Sequence, residues 1–501
     1  NALKESPDTR NDLARLANHA EGTKDVSAVL EYAPAAAQQA SAASSHREAI
    51  ALYQLALRFA DSLPPARHAQ MLEAYEVELW NADRTTERMV ALQKAIELWH
   101  SIGDRRREGD DEATLAATCY NIGRKAEAEQ ASQSAITILE ALPPGPELAR
   151  AYKSQCFIRM ENRDCAEAVI WGEKAIALAE QLEDLETVAR ACNYAGCSLL
   201  VMDYERGRAL MERSLQIGRE ANLPITIAGT LANFAQTLVE LYQFEDAERY
   251  LIEGIAYATE HDDNYHLQEM LTWQALAHLH QGHWAEVNET LSKLLPQPNF
   301  NLPTYTYALL ILGRLRVRLG ETSALATLDD GLALSIQVQA MMRLEYARAA
   351  RAEFGWLTGN NRLASEEARA VYEIAVSKKH PWVAGELAFW RWRAGDEFTP
   401  PVWIAKPFAL QIMGDWRGAA EEWEKRSCPY EQALALMDGD EAAQLAALEI
   451  FERLGARPAA EKIKQEMRSK GMHGIPRGPR PATSQNPYGL TAREVEVLAS
   501  L

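Results

Sequence analysis

The sequence predicts an all-α protein built from a row of similar helical hairpins, each about 40 residues long. Three observations predict this fold. One column of small residues recurs every 37 to 40 positions, a second column stands twelve residues before it, and prolines recur at every second repeat. The three series share one period, which chance explains poorly, and the 501 residues are enough for a long array.

The first column is a pair of small residues seven positions apart inside an amphipathic helical pattern. The clean pairs are Ala49/Ala56, Ala128/Ala135, Ala168/Ala175, Gly207/Ser214, Ala247/Gly254 and Ala324/Gly331. Three less regular pairs occupy the same register, namely Arg88/Ala95, Val287/Leu294 and Ala364/Val371. Small side chains at this spacing let two helices cross closely, because a large side chain would push their axes apart.

The second column gives each repeat its other helix. It consists of Ala37, Glu76, Ala116, Cys156, Ala195, Ala235, Ala275, Leu312 and Ala352, of which seven are small. This spacing is typical of two antiparallel helices joined by a short turn. Tetratricopeptide repeats (TPRs) are built in this way with a nominal period of about 34, so we describe these repeats as TPR-like; HEAT-like repeats remain an alternative. Stacked hairpins predict a curved superhelix whose concave groove binds a peptide, a protein or a small ligand.

Prolines mark the starts of alternate repeats. Pro64, Pro144, Pro224 and Pro303 are spaced 80, 80 and 79 residues apart, and each precedes a helical pattern. Proline suits the first turn of a helix, where its missing N–H is not needed.

The chain divides into five parts by pattern and composition. We predict a helical segment at 1–30, the TPR-like superhelix at 31–380, divergent helical hairpins at 381–467, a basic linker rich in Pro and Gly at 468–489, and a new capped helix from 490 to 501. Within the divergent part, Pro401 breaks any helix.

Charge and composition exclude several classes of function. The net charge is −19, and residues before 468 carry −22, so this body would repel nucleic acid. No apolar run is long enough to cross a bilayer, and the start lacks a signal-peptide pattern. We therefore expect no membrane contact. Six scattered cysteines without a CxxC pair indicate reduced thiols in a cytoplasmic protein.

No catalytic or cofactor motif is present, so we expect no enzyme activity and no cofactor in this chain. GxxxxGK[ST], GxGxxG after a strand, HExxH and GxSxG are all absent. His278, His280 and His283 form HLHQGH, but residues two apart point to different sides of a helix, so we interpret them as ordinary helix and turn positions. Asp438 and Asp440 flank a glycine and read as a turn with a helix-capping acid.

Other conspicuous residues also have structural interpretations. Cys156 belongs to the second small-residue column, and Trp171 and Trp284 lie on repeat helices, where core packing is expected. The charged run DRRREGDDE at 104–112 is interpreted as a solvated loop.

The ends of the chain resemble a known family. GLTAREVEVLASL at 489–501 resembles the start of the LuxR-type helix-turn-helix domain, where Thr491 and Glu494 form a capping box. The run ALALMDGDEAAQLAALEIFERLGARPAAEKIKQEMRSKG and the start LARLANHAEGTKDVSAVLEYAPAAAQQAS are similar to the corresponding segments of large ATP-binding LuxR-family regulators of the maltose-regulon-activator type.

This resemblance implies a sensor and coupling region from a transcriptional regulator. Such proteins carry an ATPase module, a helical-repeat sensor and a DNA-binding domain, and they bind an inducer and ATP, self-associate and activate transcription. The resemblance implies that the ATPase module and most of the DNA-binding domain are missing here. Thr491 and Glu494 match cap and scaffold positions, and Arg493 would approach a phosphate in a complete domain. The alternative is a stand-alone TPR-like interaction scaffold with no role on DNA.

Overall fold

A computed structural model describes residues 12–82, 84–297, 300–339, 341–472 and position 498. Within these residues the chain forms 25 α-helices, one 3-10 turn at Ala60–Ser62 and no strand, which confirms the all-α prediction. The helices are α1 (Leu13–Gly22), α2 (Val26–Ala42), α3 (His46–Leu57), α4 (Pro65–Asn81), α5 (Thr85–Ile102), α6 (Arg105–Asn121), α7 (Lys125–Glu140), α8 (Pro146–Glu161), α9 (Cys165–Gln181), α10 (Leu185–Met202), α11 (Tyr204–Glu220), α12 (Pro224–Glu240), α13 (Phe244–Glu260), α14 (Asn264–Gln281), α15 (Trp284–Leu294), α16 (Leu302–Leu319), α17 (Ala324–Val338), α18 (Met341–Leu357), α19 (Asn361–Lys378), α20 (Pro381–Arg393), α21 (Lys406–Ile412), α22 (Trp416–Glu424), α23 (Pro429–Leu436), α24 (Glu441–Leu454) and α25 (Arg457–Ser469).

The two small-residue columns fall on successive helices throughout the array, as predicted. The second column lies on the first helix of each hairpin (the A helix) and the first column on the second helix (the B helix), from α2/α3 to α18/α19. Gly207 on α11 shows why the position must be small, because a Cβ there would lie 2.2 Å from the backbone nitrogen of Leu200 on α10. The fold is therefore a TPR-like superhelix.

The helix boundaries follow from proline and aspartate at the starts. Pro224 begins α12, Pro303 is the second residue of α16, and Pro64 immediately precedes α4. Aspartate side chains accept a hydrogen bond from the first turn of six of the helices before α15 and of two later ones, including Asp440 before α24.

The interpretation of residues 104–112 as a solvated loop is wrong, because they begin α6. Asp104 caps this helix by accepting a hydrogen bond from the backbone N–H of Arg107 at 3.2 Å. The charges form ion pairs. Asp110 binds Arg150 of the next A helix, α8, through two bonds of 2.9 and 2.7 Å, and within α6 itself Glu108 is buried against Arg105. Paired charges of both signs thus take the place of an apolar face here.

Two predicted boundaries are clarified by the helices. The predicted boundary at position 30 falls inside α2, and α1 packs against α2. The stretch 394–405 around Pro401 is not helical, as predicted, and four helices follow between 416 and 469. The basic segment after residue 472, and with it Thr491, Arg493 and Glu494, lies outside the described residues.

The later part of the superhelix packs directly onto the earlier part along what we call the seam. The seam joins the turns that follow α6, α8, α12, α14 and α16 to the segment α17–α25. Gly123, in the turn after α6 with φ of +78°, has no room for a Cβ, which would lie 2.7 Å from Cα of Val338. In the turn after α8, Arg163 pairs with Glu345 of α18, 182 residues away.

Farther along the seam the contacts are apolar. Tyr242, after α12, stacks on Trp382 of α20 with ring centroids 4.4 Å apart. Gly282, after α14, lies against Pro429 and Leu454, and Gly320, after α16, lies against Pro458. One continuous hydrophobic core consequently extends from α10 to α25.

The described helices are too short or too polar to cross a membrane.

Candidate ligand channel

The concave side of the superhelix is a channel lined by the A helices. Each A helix from α6 to α18 packs against the next A helix, whereas successive B helices lie farther apart on the outside. This difference in spacing curves the array around the A row. Side chains on the free face of an A helix therefore point towards the axis.

One stripe along α8 presents a cation, an aromatic ring and an anion to this channel. Lys153, Phe157 and Glu161 are spaced i, i+4, i+8 and are all partly exposed. Phe157 marks the inner face, because its ring contacts Tyr120 of α6 at 5.5 Å and Tyr194 of α10 at 5.2 Å between centroids. The three rings form a ladder across neighbouring A helices.

The N-terminal end of the stripe is positively charged. Burial, together with the nearby charge of Arg190 on α10, lowers the pKa of Lys153 to about 7. Lys153 makes no hydrogen bond or ion pair with any residue that the structure describes. Arg190 pairs with Glu186 at 3.3 Å on the exposed rim and also contacts the hydroxyl of Tyr194, and Arg150 is already held by Asp110. An uncommitted ammonium thus lies inside the channel.

The C-terminal end of the stripe is acidic and faces helices across the axis. Burial raises the pKa of Glu161, opposed mainly by the charge of Arg343 on α18 and assisted by that of Glu240 on α12. Burial also raises the pKa of Glu269 on α14, and the charge of Glu269 in turn is the main cause of the raised pKa of Tyr265. Glu161 makes no hydrogen bond or ion pair in the described part of the chain.

A small cavity of about 30 Å³ opens beside Glu161. Asn233 and Gln236 of α12 line it with side-chain amides, and Asn233 also donates a hydrogen bond to Asn193 at 3.2 Å. Ser198 of α10 lines it as well. It is 2% exposed, and its hydroxyl lies beside the buried thiol of Cys165, a weak hydrogen-bonding group. A buried hydroxyl beside a weakly hydrogen-bonding thiol keeps the capacity for a stronger hydrogen bond with a guest in the cavity.

A buried ion-pair cluster closes the far wall of this cavity. Nε of Arg163 donates to Glu345 at 3.0 Å, and its two Nη atoms donate to Glu240 at 3.2 and 3.3 Å. Burial raises the pKa of Glu345 to about 7, with Arg163 as the largest opposing influence. The seam and the channel therefore share one group of charged residues.

The histidines of HLHQGH occupy the helix and turn positions predicted for them. His278 lies in α14, His283 precedes α15, and their rings meet edge to face with centroids 5.5 Å apart. His280 points away from that pair and approaches Glu431 of α23 at 3.3 Å. No group of three metal-ligating side chains occurs in the described ranges.

The other conspicuous residues also have the structural roles expected. Cys156 is fully buried in its column, and Trp284 is buried, donating from Nε1 to the backbone carbonyl of Leu279 at 3.0 Å. Trp171 is only partly buried; it packs on Tyr152 of the preceding A helix at 5.6 Å between ring centroids.

The sequence interpretation missed the channel residues. The sequence could have indicated Lys153, Phe157 and Glu161, since residues spaced i, i+4, i+8 on an A helix and outside its core share one face. No local pattern in the sequence indicates the role of Arg163, because its partners are 77 and 182 residues away.

Comparisons with known proteins find similarity only at the level of solved structures. No protein-family model and no curated protein matches the chain. A Rap protein complexed with competence and sporulation factor is 14% identical, with 66% of this chain and 98% of that chain covered and a TM-score of 0.45. The P58(IPK) TPR domain is 11% identical, with coverage of 73% and 97% and a TM-score of 0.23. A circular tandem repeat protein is 14% identical, with coverage of 91% and 95% and a TM-score of 0.15.

The chain is thus an all-α helical-repeat protein of the TPR-like class.

Proposed function

We propose that this chain is the sensor and coupling region of a LuxR-family transcriptional regulator and that an inducer or partner binds in its channel. One observation carries the proposal: a channel with uncommitted charged groups shares a continuous core with α25, the last described helix before the basic segment and GLTAREVEVL. A change in the channel can therefore be transmitted to the segment that leads into the DNA-binding sequence.

The contacts of α25 support a coupling role. Pro458 lies against Gly320 at the end of α16, and Arg457 donates from Nε to the backbone carbonyl of Leu319 at 2.9 Å. Lys462 lies over the ring of Trp356 on α18 at 4.7 Å. A shift of α16 or α18 would move α25 with it.

A buried charge network joins the same two A helices to the C-terminal arm α20–α25. Nε of Arg314 donates to Glu353 at 2.7 Å, and Nε of Arg318 donates to the other oxygen of Glu353 at 3.0 Å. Arg314 also pairs with Glu386 of α20, and Arg318 with Glu431 of α23 at 2.8 Å. Buried networks of this kind favour one arrangement over alternatives, which suits a two-state coupling element.

The regulator proposal carries the remaining family expectations with it. ATP would bind to an ATPase module outside this chain, and promoter DNA would bind through the complete C-terminal domain. Self-association would bring several such domains together. Arg493 would then lie near a phosphate, and Thr491 and Glu494 would cap the first helix of that domain.

The test begins with the coding frame on both sides of this segment. A GxxxxGK[ST] motif upstream and a complete helix-turn-helix downstream are expected. The full-length protein, with and without ATP, is then assayed for mobility shifts of DNA from its own upstream region, using scrambled DNA as a control. Failure to bind under every nucleotide and ligand condition would overturn the regulator and leave the TPR-like scaffold.

A further inference from the structure

We propose that the channel binds a short extended peptide of about four residues with both termini free, its carboxylate at Lys153 and Arg190 and its ammonium at Glu161 and Glu269. The inference rests on the proposed function, because it names the ligand class for the same channel.

The distance between the two charged ends sets the length of the ligand. Lys153 and Glu161 are eight residues apart on α8, which is about 12 Å along the helix axis. An extended chain advances about 3.3 to 3.6 Å per residue. The termini of a tetrapeptide are therefore separated by about the same distance, whereas those of a dipeptide fall well short.

The charges at the two ends select a zwitterion. At the acidic end, Glu161 and Glu269 face Arg343, while the two other nearby cations are already paired, Arg163 with Glu240 and Glu345 and His266 with Asp263. At the basic end, Lys153 and Arg190 face the rim residue Glu186, while Asp110 is already paired with Arg150. Charges taken out of water without a partner are costly, so a ligand that supplies the opposite charge at each end gains at both. A polyphosphate would be repelled by the acidic end, and an uncharged ligand would leave both ends unpaired.

The middle of the channel fits a peptide main chain. The rings of Tyr120, Phe157 and Tyr194 offer an apolar wall for side chains. The amide of Asn233 and the hydroxyl of Ser198 line the cavity and provide donors and acceptors for backbone N–H and C=O groups.

Equilibrium dialysis of the chain against an equimolar Ala-X-X-Ala library, read by mass spectrometry, tests the proposal. The free library is compared with the same library N-acetylated and with the same library C-amidated. The wild-type protein is expected to bind peptides with two free termini at least about tenfold more tightly than either capped form. This is the range for hydrogen bonds to charged groups. Lys153→Met should abolish discrimination against the amide, and Glu161→Gln should abolish discrimination against the acetyl cap.

Matched controls lie on the outer helix of the same hairpin. Lys174→Met and Glu173→Gln remove exposed charges of α9 and should leave retention unchanged. Circular dichroism checks that each variant is folded. The peptide assignment is overturned if no library member is retained, if capped and free libraries bind equally, or if the α9 variants behave like the α8 variants. Promoter binding by the full-length protein is measured separately. The proposed regulator function can therefore be refuted while the peptide site is confirmed, and the peptide site can be refuted while the regulator function is confirmed.

Discussion

Replacing Arg163 by methionine is expected to open the seam between the earlier and later parts of the superhelix. Among the described residues, Arg163 is the one cation that forms ion pairs with Glu240 and Glu345, through bonds of 3.0 to 3.3 Å. Removing one partner of a buried ion pair costs about 3–5 kcal/mol, because the other charge stays buried and unpaired. With the side chain of Glu345 only 2% exposed, we expect R163M to lose about this much free energy of unfolding at pH 8.

The cost is expected to depend on pH through Glu345. Its pKa is raised to about 7 in the folded protein, so the carboxyl takes up a proton on folding. A raised pKa contributes stability that is complete below the unfolded value, near 4.5, and that is lost as the pH rises through about 7. At pH 5.5 Glu345 is largely protonated in the wild-type protein and in R163M. The loss of unfolding free energy caused by R163M should therefore be clearly smaller at pH 5.5 than at pH 8.

Urea unfolding followed by circular dichroism at pH 5.5 and 8 measures both quantities, and hydrogen exchange locates the opening. R163M/E345Q should recover about half of the loss, because no unpaired carboxylate remains at Glu345. R213M breaks the Arg213–Glu180 pair, whose side chains are 41% and 48% exposed, and should cost at most about 1 kcal/mol. The reasoning is refuted if R163M costs no more than R213M, or if its cost is the same at both pH values.

Three further predictions concern packing and burial. Gly207→Ala should lower the free energy of unfolding by about 1–3 kcal/mol in urea titrations, because the new Cβ would meet the backbone of α10. Gly22 has open space around it, so Gly22→Ala should change the same quantity by less than about 0.5 kcal/mol. Equal effects of the two substitutions would contradict the close-packing argument. Burial raises the pKa of Asp111 to about 8, so stability should fall as the pH rises from about 4 towards 8, by at most about 1.4 kcal/mol per pH unit. In D111N the midpoint of urea unfolding should depend less steeply on pH. An unchanged slope would exclude Asp111 as its source. The six cysteines are buried, and burial raises the pKa of Cys119 to about 11. A chromogenic disulfide reagent at pH 8 should therefore react with these thiols only after the protein unfolds. Rapid reaction of several thiols in the native protein would show that these helices open readily.

Local features of the fold could be predicted from the sequence because they depend on residues close together in the chain. The columns through Ala168 and Cys156 predict the hairpins, since each close helix crossing requires a small residue at a fixed position. The charged start of α6 was missed because composition alone suggested a loop. Its partners, such as Arg150, lie one repeat away and become visible only when the hairpins are stacked.

The seam and most of the channel could not be predicted in this way. The repeat period determines which helices are neighbours, but the pitch of the superhelix follows from small rotations summed over many repeats. Contacts such as Arg163 with Glu345, or Glu161 facing Arg343, arise only when about half a dozen repeats bring distant segments together. The spacing of Lys153, Phe157 and Glu161 shows that they share a face of α8, but nothing local indicates that this face lines a channel.

The seam also constrains how this array can change in evolution. In an open solenoid each repeat contacts only its neighbours, so duplication or loss of one repeat leaves the others as they were. Here an added hairpin between α12 and α18 would displace every later partner by one step, separating Arg163 from Glu345 and Tyr242 from Trp382 together. The number of repeats is therefore part of the folded design, and variation in length is expected at the α1 end, before the first turn that the seam holds.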